Sequence, residues 1–252
     1  MKIIIKLFMV FIFAGFLPLS AIAEDITVAA AANLQSTLEE LKSEFFKETG
    51  IGIKVVIGAS GKLTAQIMSG APFDVFMSAD MDYPKRLFAD GLTIEAPKVY
   101  AYGSLVLWTL KDIDLSKGVD SLLNIVVVKV AIASPKSAPY GRQAINVMKS
   151  YHLYPQIMSK LVYGESIAQV NQFITTQAVD AGFTAKSVVL AANMKNRGKW
   201  IDIDPKMYEP IAQGVVILRS VKDKEADARK FYNFLFSAAA KIIFERYGYN
   251  LP

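Results

Sequence analysis

The stretch ITVAAAANLQSTLEELKSEFFKETG, from Ile26 to Gly50, carries the pattern that decides the fold. Its first residues, Ile26 to Ala30, are apolar or small and predict a buried strand. Apolar side chains then recur every three or four residues, at Leu34, Leu38, Leu41 and Phe45. That spacing places one face of a helix against a core, and Gly50 ends the helix. The stretch therefore predicts a buried strand that leads directly into an amphipathic helix.

The same order of strand, turn and helix recurs along the rest of the chain. Further strands are predicted at 53–57, 74–77, 128–133 and 181–184, and helices around 63–67, 83–88, 140–151 and 167–174. A β-rich stretch at 100–110 separates two such runs, and a second at 211–218 precedes the last helix. That helix is expected over 223–247, with a kink or break near Phe236 and Ser237. Strands alternating with helices indicate an α/β fold, here as two lobes joined by two crossing segments.

The N-terminus predicts export. Lys2 and Lys6 give it a basic start, an apolar run covers 7–19, and small residues end at Ala23. A basic start, a short apolar core and a small-x-small end are typical of a secretory signal peptide, here residues 1–23. The apolar run is too short to span a bilayer comfortably. We therefore expect cleavage near Ala23 and a mature protein that is not embedded in a membrane.

Composition narrows the possible partners and the compartment. The net charge of +5 falls by two without the predicted signal peptide, and no basic tail is present, so nucleic acid is not indicated. The chain has no cysteine, which leaves no disulfide and no lipid-modified cysteine at the cleavage site. An exported protein without an anchor stays near the cell only if an outer membrane encloses it. We expect a periplasmic protein, with a monomer as the default.

Four strand-to-helix junctions carry small or polar residues, at 31–33, 58–61, 137–141 and 164–167. Helix N-termini present free N–H groups and the positive end of the helix dipole, and they bind anions. Ligands of open α/β sheets lie at the carboxyl ends of the strands. Four such junctions around one cleft would surround a tetrahedral anion with donors. The alternative for Asn33 and Ser60 is that each only caps its helix.

Catalysis has little support. His152 is the only histidine, no cysteine nucleophile exists, and the glycine motifs of nucleotide sites are absent. Asp74 and Asp80 could hold a hard cation or do acid–base work, although capping or ion pairing is the simpler interpretation. Arg142 could contact an anion, but a pair with a carboxylate is favoured. We expect no catalytic residue, and keep a metal-dependent extracytoplasmic enzyme using Asp74 and Asp80 as an alternative.

Motifs spread over the whole predicted mature chain occur in a fixed order. They are ITVAAAANL at 26–34, GASGKL at 58–63, GAPFDVFMSAD at 70–80, PYG at 139–141 and FERYGY at 244–249. In this order they resemble the periplasmic molybdate-binding proteins of ABC importers. The resemblance implies a type II periplasmic-binding-protein fold, with each lobe a mostly parallel sheet flanked by helices and a cleft between the lobes. The lobes would be 24–104 with 207–252, and 105–206.

The resemblance also implies the ligand and its contacts. Molybdate, and with it tungstate, would lie in the cleft and pass to a membrane permease, with no cofactor and with molybdenum held only as the oxyanion. Asn33 stands where the family has Ser or Asn, and Ser60 matches the family's serine. Ile167 matches a Val or Ile that donates its main-chain N–H. Tyr140 follows a proline, where some members have tyrosine and others donate only a main-chain N–H.

Two positions depart from the family pattern. Ala32 stands where similar members can have Thr, and could therefore supply main-chain groups only. Ala185 takes the place of a tyrosine found in some members, whose hydroxyl contact would then have to come from Tyr140. A receptor for another anion, such as sulfate, thiosulfate or a small carboxylate, stays as the alternative among binding proteins.

Overall fold

The computed structural model describes residues 25–252, and the predicted signal peptide lies outside the described residues. The strands are β1 (Ile26–Ala31), β2 (Ile53–Gly58), β3 (Val75–Met77), β4 (Lys98–Gly103), β5 (Leu105–Thr109), β6 (Val130–Ala133), β7 (Leu161–Gly164), β8 (Ala181–Ala185), β9 (Lys199–Asp202) and β10 (Ile211–Ile217). The α-helices are α1 (Gln35–Thr49), α2 (Ser60–Met68), α3 (Asp82–Ala89), α4 (Pro139–Ser150), α5 (Tyr154–Ile157), α6 (Ile167–Thr175), α7 (Lys186–Val189), α8 (Glu225–Phe234) and α9 (Ala238–Arg246). Short 3-10 turns lie at Ala32–Leu34, Gly118–Leu123, Met158–Lys160, Pro205–Met207 and Arg219–Lys224.

The strands form two five-stranded sheets with the same layout, and each sheet is the centre of one lobe. The order is β2-β1-β3-β10-β4 in the first lobe and β7-β6-β8-β5-β9 in the second. In each sheet one strand, β10 or β5, runs antiparallel to both of its neighbours, and the other four share one direction. The reversed strand is the one by which the chain enters from the other lobe. It starts at the cleft, whereas the other strands end there, so it runs in the opposite direction. The prediction of two lobes with mostly parallel sheets is confirmed.

The opening stretch folds as its pattern predicts. Leu34, Leu38, Leu41 and Phe45 have no exposed surface, and they pack into a core with strand β1 and helices α8 and α9. Burying each such side chain contributes roughly 1.5–3 kcal/mol, so this one face anchors α1 firmly. Gly50 adopts a left-handed backbone with φ of 70° just past the helix. Helices α2 and α3 cover the opposite face of the same sheet.

Two elements differ in detail from the predictions made from the sequence, and a third agrees with them. The β-rich stretch at 100–110 is two strands of different sheets, β4 and β5, with only Ser104 between them. The predicted strand at 128–133 begins at Val130, because the Asp180 carboxylate accepts the N–H groups of the two preceding residues at 2.7 Å each. The last helix is broken as predicted, and Ser237 caps the second part by accepting the N–H of Ala240. Within residues 25–252 no helix is long and apolar enough to cross a membrane.

Candidate functional site

A small cavity lies between the lobes, at the carboxyl ends of the strands. The five residues predicted to hold an oxyanion all line it: Ala32, Asn33, Ser60, Tyr140 and Ile167. The rest of its lining comes from the same junctions and from the end of β3: Ala31, Gly58, Ala59, Ala79, Ala138 and Pro139. None of the described residues that line it carries a charge. The cavity can therefore hold a polar ligand only through dipoles and hydrogen bonds.

Four helix starts bring main-chain donors to this cavity. Ser60 and Ile167 are the first residues of α2 and α6, Tyr140 is the second residue of α4, and Asn33 lies in the 3-10 turn before α1. The first N–H groups of a helix have no acceptor inside that helix. No main-chain carbonyl of the described residues accepts the N–H of any of these four. Two such donors come from each lobe, and they meet only because the lobes are closed.

Ser60 does not cap its helix. The N-cap of α2 is Ala59, and the Ser60 Oγ instead accepts the N–H of Ala79 at 3.0 Å. The side chain is only 1% exposed. A serine hydroxyl has one hydrogen and two lone pairs, so the bond from Ala79 leaves the hydrogen available to donate into the cavity.

Asn33 does not cap its helix either, and its carboxamide is already engaged inside the protein. The Nδ2 donates to Gln213 Oε1 at 2.9 Å and to Tyr249 Oη at 3.0 Å. Its Oδ1 is buried without a partner among the described residues. Asn33 therefore presents its main-chain N–H to the cavity. Ala32 has no polar side chain and can contribute only main-chain groups.

Tyr140 is buried, and burial raises the pKa of its hydroxyl well above the usual value of 10.0. The hydroxyl accepts from Gln213 Nε2 at 3.2 Å and lies beside Gly103, where an added Cβ would come within 2.0 Å of it. Gly103 is at the crossing between the lobes, and neither it nor Gln213 lines the cavity. The main-chain N–H of Tyr140 thus lies at the cavity, whereas its hydroxyl lies at the crossing between the lobes. The expectation that this hydroxyl replaces the tyrosine missing at Ala185 stays a prediction, and the bond to Gln213 places the hydroxyl oxygen behind the cavity.

Sequence reasoning missed a buried polar group behind the cavity, which we call the hinge cluster: Asn33, Tyr100, Tyr140, Gln213 and Tyr249. Its centre is Gln213, which has no exposed surface and lies in the otherwise apolar strand β10. A buried glutamine costs free energy unless it is hydrogen-bonded. A lone glutamine in an apolar strand is therefore the sequence signal that could have indicated this cluster. Burial raises the pKa of Tyr249 to about 12, so the cluster is uncharged at neutral pH.

Contacts at the mouth of the cleft join the closed lobes. The N–H of Gly61 donates to the Ser137 carbonyl at 2.9 Å. Lys62 pairs with Glu165 at 2.5 Å.

Arg142 makes a further contact between the lobes. It pairs with Asp80 and lies over the Tyr83 ring at 5.6 Å. Burial raises the pKa of Asp80, and the charge of Arg142 opposes that shift. The prediction that Arg142 pairs with a carboxylate is confirmed.

The two carboxylates of the enzyme alternative are not brought together. Asp74 precedes β3 and accepts the N–H of Thr27 at 2.7 Å, whereas Asp80 follows the strand at its other end. Among the described residues, no group of three or more His, Asp or Glu side chains could hold a metal ion. His152 is exposed just after α4 and does not line the cavity.

Comparisons with known proteins agree with this architecture. Residues 26–250 match the sequence model of a family described as bacterial extracellular solute-binding protein. The molybdate-binding protein ModA of Azotobacter vinelandii is 36% identical over 239 residues, which is 94% of each chain. ModA of Rhodobacter capsulatus is 37% identical over 235 residues, 92% of this chain and 91% of that one.

The solved periplasmic molybdate-binding protein of Azotobacter vinelandii has the same fold. It superposes with a TM-score of 0.85 at 33% identity, and the match covers 90% of this chain and 100% of that one. The family match runs through both sheets and all four helix starts that line the cavity. The chain therefore belongs to the bacterial extracellular solute-binding proteins.

Proposed function

We propose that this protein captures molybdate or tungstate in the periplasm and delivers it to the membrane permease of an ABC importer. The observation that carries the proposal is the set of four unpaired helix-start N–H groups around one uncharged cavity. The names of the relatives, molybdate-binding proteins at 36% and 37% identity, support the same ligand. The oxyanion would be held by Asn33, Ser60, Tyr140, Ile167 and the main chain of Ala32.

Neutral donors suit a receptor that must also release its ligand. Helix starts supply partial positive charge, and hydrogen bonds to an ionised group are stronger than those between neutral groups. A cavity lined by cations would bury unpaired charges once the anion left, at a high cost in free energy. In our proposal the lobes close over the dianion, fixed dipoles replace its water shell, and reopening leaves no buried charge behind.

Selection among tetrahedral anions would depend on size. The donors come from both lobes, so their separation is fixed when the lobes are closed. A smaller anion such as sulfate could not reach all of them, and each buried donor left unpaired costs about 1–3 kcal/mol. Molybdate and tungstate have nearly the same size and charge, and we expect the cavity to accept both.

The same proposal assigns the remaining properties. Molybdenum is cargo and enters only as its oxyanion, so no cofactor and no catalytic residue are invoked. The protein acts as a monomer in the periplasm, after cleavage of the signal peptide near Ala23. It engages the permease and binds no nucleic acid.

Calorimetry on the purified mature protein with a panel of anions tests the proposal. We expect strong binding of molybdate and tungstate at one site, and much weaker binding of sulfate, phosphate, thiosulfate and small carboxylates. Clear heat with sulfate or a carboxylate and none with molybdate would refute the proposed ligand. Stoichiometric magnesium, calcium or manganese in the purified protein would instead favour the metal-dependent enzyme.

A further inference from the structure

Gln213 connects groups that are far apart in sequence. Its Oε1 accepts from Asn33 Nδ2 at 2.9 Å and from Tyr100 Oη at 2.8 Å. Its Nε2 donates to Tyr140 Oη at 3.2 Å. Asn33 and Tyr100 belong to the first lobe, whereas Tyr140 is the second residue of α4 in the second lobe. One buried carboxamide therefore bridges the two lobes directly behind the cavity.

Two of the three partners of Gln213 also line the cavity. Asn33 and Tyr140 each have an unpaired main-chain N–H there, one from each lobe. A shift of either side chain would move that N–H, because Asn33 lies in the short turn that leads into α1 and Tyr140 lies in the first turn of α4. The relative position of these two donors thus depends on the group that ties them together.

The bridge requires both a donor and an acceptor in one uncharged side chain. Oε1 serves Asn33 and Tyr100, while Nε2 serves Tyr140. Glutamate would supply no donor to Tyr140 and would bury a charge, and an apolar side chain would leave three polar groups without their partner. The neighbouring backbone also makes room for it, since a Cβ at Gly103 would lie 2.5 Å from Nε2.

We propose that Gln213 is a positioning residue of the anion site, which aligns Asn33 of the first lobe with Tyr140 of the second so that their N–H groups meet the same anion. The inference rests on the proposed function and adds a residue that does not touch the ligand. Its contribution is made in the closed form, because the bond to Tyr140 joins the two lobes. Loss of Gln213 should therefore act mainly on release of the anion.

Gln213→Met tests this by keeping the length of the side chain and removing its polar atoms. We expect molybdate affinity to fall by about tenfold or more, mostly through a faster koff, as for the loss of buried hydrogen bonds in a bound state. Gln213→Glu is the second variant, and it should weaken binding at least as much. Stopped-flow fluorescence and calorimetry give koff and Kd, and thermal unfolding of the anion-free protein reports folding.

A double-mutant cycle separates positioning from general stability. Tyr140→Phe removes the acceptor of the Gln213 Nε2 without changing the main chain. If Gln213 acts through Tyr140, the penalty of Gln213→Met should shrink by about threefold or more in the Tyr140→Phe background. Thr109→Val is the matched control, because Thr109 is buried in the second lobe and donates to the Asp180 carbonyl at 2.6 Å, away from the cavity. It should lower the melting temperature and leave Kd unchanged.

The outcomes are distinguishable. Molybdate binding by the wild type with unchanged Kd and koff in Gln213→Met would overturn the inference and leave the proposed function standing. Additive effects of Gln213→Met and Tyr140→Phe would also overturn it, since Gln213 would then act only on stability. No molybdate binding by the wild type would refute the proposed function, and the inference with it. If Gln213→Met does not fold, Gln213→Glu and Tyr140→Phe supply the same cycle.

Discussion

In the proposed site, Ser60 would serve both the fold and the ligand. Its Oγ accepts the N–H of Ala79, and this bond orients the hydroxyl hydrogen away from β3. The residue next to it, Gly61, and the one before it, Ala59, are small enough to let the backbone of α2 approach the cavity. We expect a hydroxyl so placed to contribute mainly to affinity for the anion and less to stability.

Ser60→Ala should weaken molybdate binding by about tenfold to a hundredfold, as expected for loss of a hydrogen bond to a charged group. It should lower the free energy of unfolding by only about 1 kcal/mol, because Ala79 loses its acceptor. Thr64→Val is the matched control, since it removes a buried hydroxyl that donates to the Ser60 carbonyl one turn along α2. Calorimetry checks both variants. An unchanged Kd with a lowered melting temperature would show that Ser60 is structural only.

For single residues, the sequence predicts features that are set by neighbouring positions and misses those set by contacts between residues far apart in the chain. Asn33, Ser60 and Ile167 could be found because each follows a strand and begins a helix, which is visible within a few residues. Gln213 could not, since its partners Asn33 and Tyr140 are 180 and 73 positions away. The direction of the Tyr140 hydroxyl depends on the same distant contact and could not be predicted from the sequence either.

Among the secondary-structure elements, α6 presents its N–H donor in the simplest way. Ile167 is its first residue, after Ser166 in an extended conformation with φ of −147° and ψ of 172°. Proline fits the first position of a helix without distorting it, and its preceding residue favours an extended backbone. The helix start can therefore lose its N–H while keeping its shape.

Ile167→Pro should fold and still lose most of its molybdate affinity, whereas Ile167→Ala keeps the N–H and shares the loss of the buried isoleucine side chain. We expect proline to bind about tenfold or more weakly than alanine, the effect of one hydrogen bond to an anion. Circular dichroism verifies the helix content, and calorimetry compares the two affinities. Equal Kd values for proline and alanine would mean that this N–H does not contact the anion.

The positions of most helices and strands could be predicted, because apolar residues recur about every 3.6 positions in an amphipathic helix and every 2 in a strand. The boundary of β6 was not, because it is set by the Asp180 carboxylate, which lies 52 residues from Val128. The separation of β4 from β5 is marked only by Gly103 and Ser104, a signal too short to show that the two strands belong to different sheets. Boundaries of this kind depend on the partner with which each main-chain N–H and C=O group forms its hydrogen bond.

For the whole molecule, closure requires a close approach of α2 to the second lobe at Gly61. A Cβ there would lie 3.1 Å from the Ser137 Cα of the second lobe. It would also lie 2.5 Å from the hydroxyl of Tyr83, a first-lobe residue whose hydroxyl donates to the Lys136 carbonyl of the second lobe at 3.4 Å. Alanine is otherwise the better helix residue at this position, by up to about 1 kcal/mol. The same methyl group should thus favour the fold and oppose the closed form.

Gly61→Ala is expected to raise or preserve the melting temperature of the anion-free protein while weakening molybdate binding several-fold. Calorimetry gives the affinity, and small-angle scattering gives the compaction caused by the anion. Tyr83→Phe in the same background should recover part of the affinity, because it removes the nearer obstacle. Tight binding with full compaction in Gly61→Ala would contradict this prediction, because the closed cleft would then accommodate the added methyl group.

The hinge cluster gives the molecule a defined response to alkaline pH. Burial raises the pKa of Tyr100 and Tyr140 well above 10.0 and that of Tyr249 to about 12. The folded protein then keeps protons that the unfolded chain releases, so this stability is complete below pH 10 and is lost as the pH rises through the folded pKa values. The free energy of unfolding should fall by up to about 1.4 kcal/mol per pH unit for each tyrosine. Urea unfolding from pH 9 to 12 measures the slope, which Tyr249→Phe should reduce; an unchanged slope would contradict it.

The single residue between β4 and β5 limits the kind of motion that remains to the lobes. Ser104 alone lies between the two strands, whereas the second crossing, from β9 to β10, has residues 203–210 outside them. One tether is thus too short to let the lobes translate apart, and the other is long enough to follow a rotation. Opening is reduced from six rigid-body degrees of freedom to rotation about a nearly fixed point. The second lobe therefore cannot drift away from the first, and little translational entropy is lost each time the lobes close.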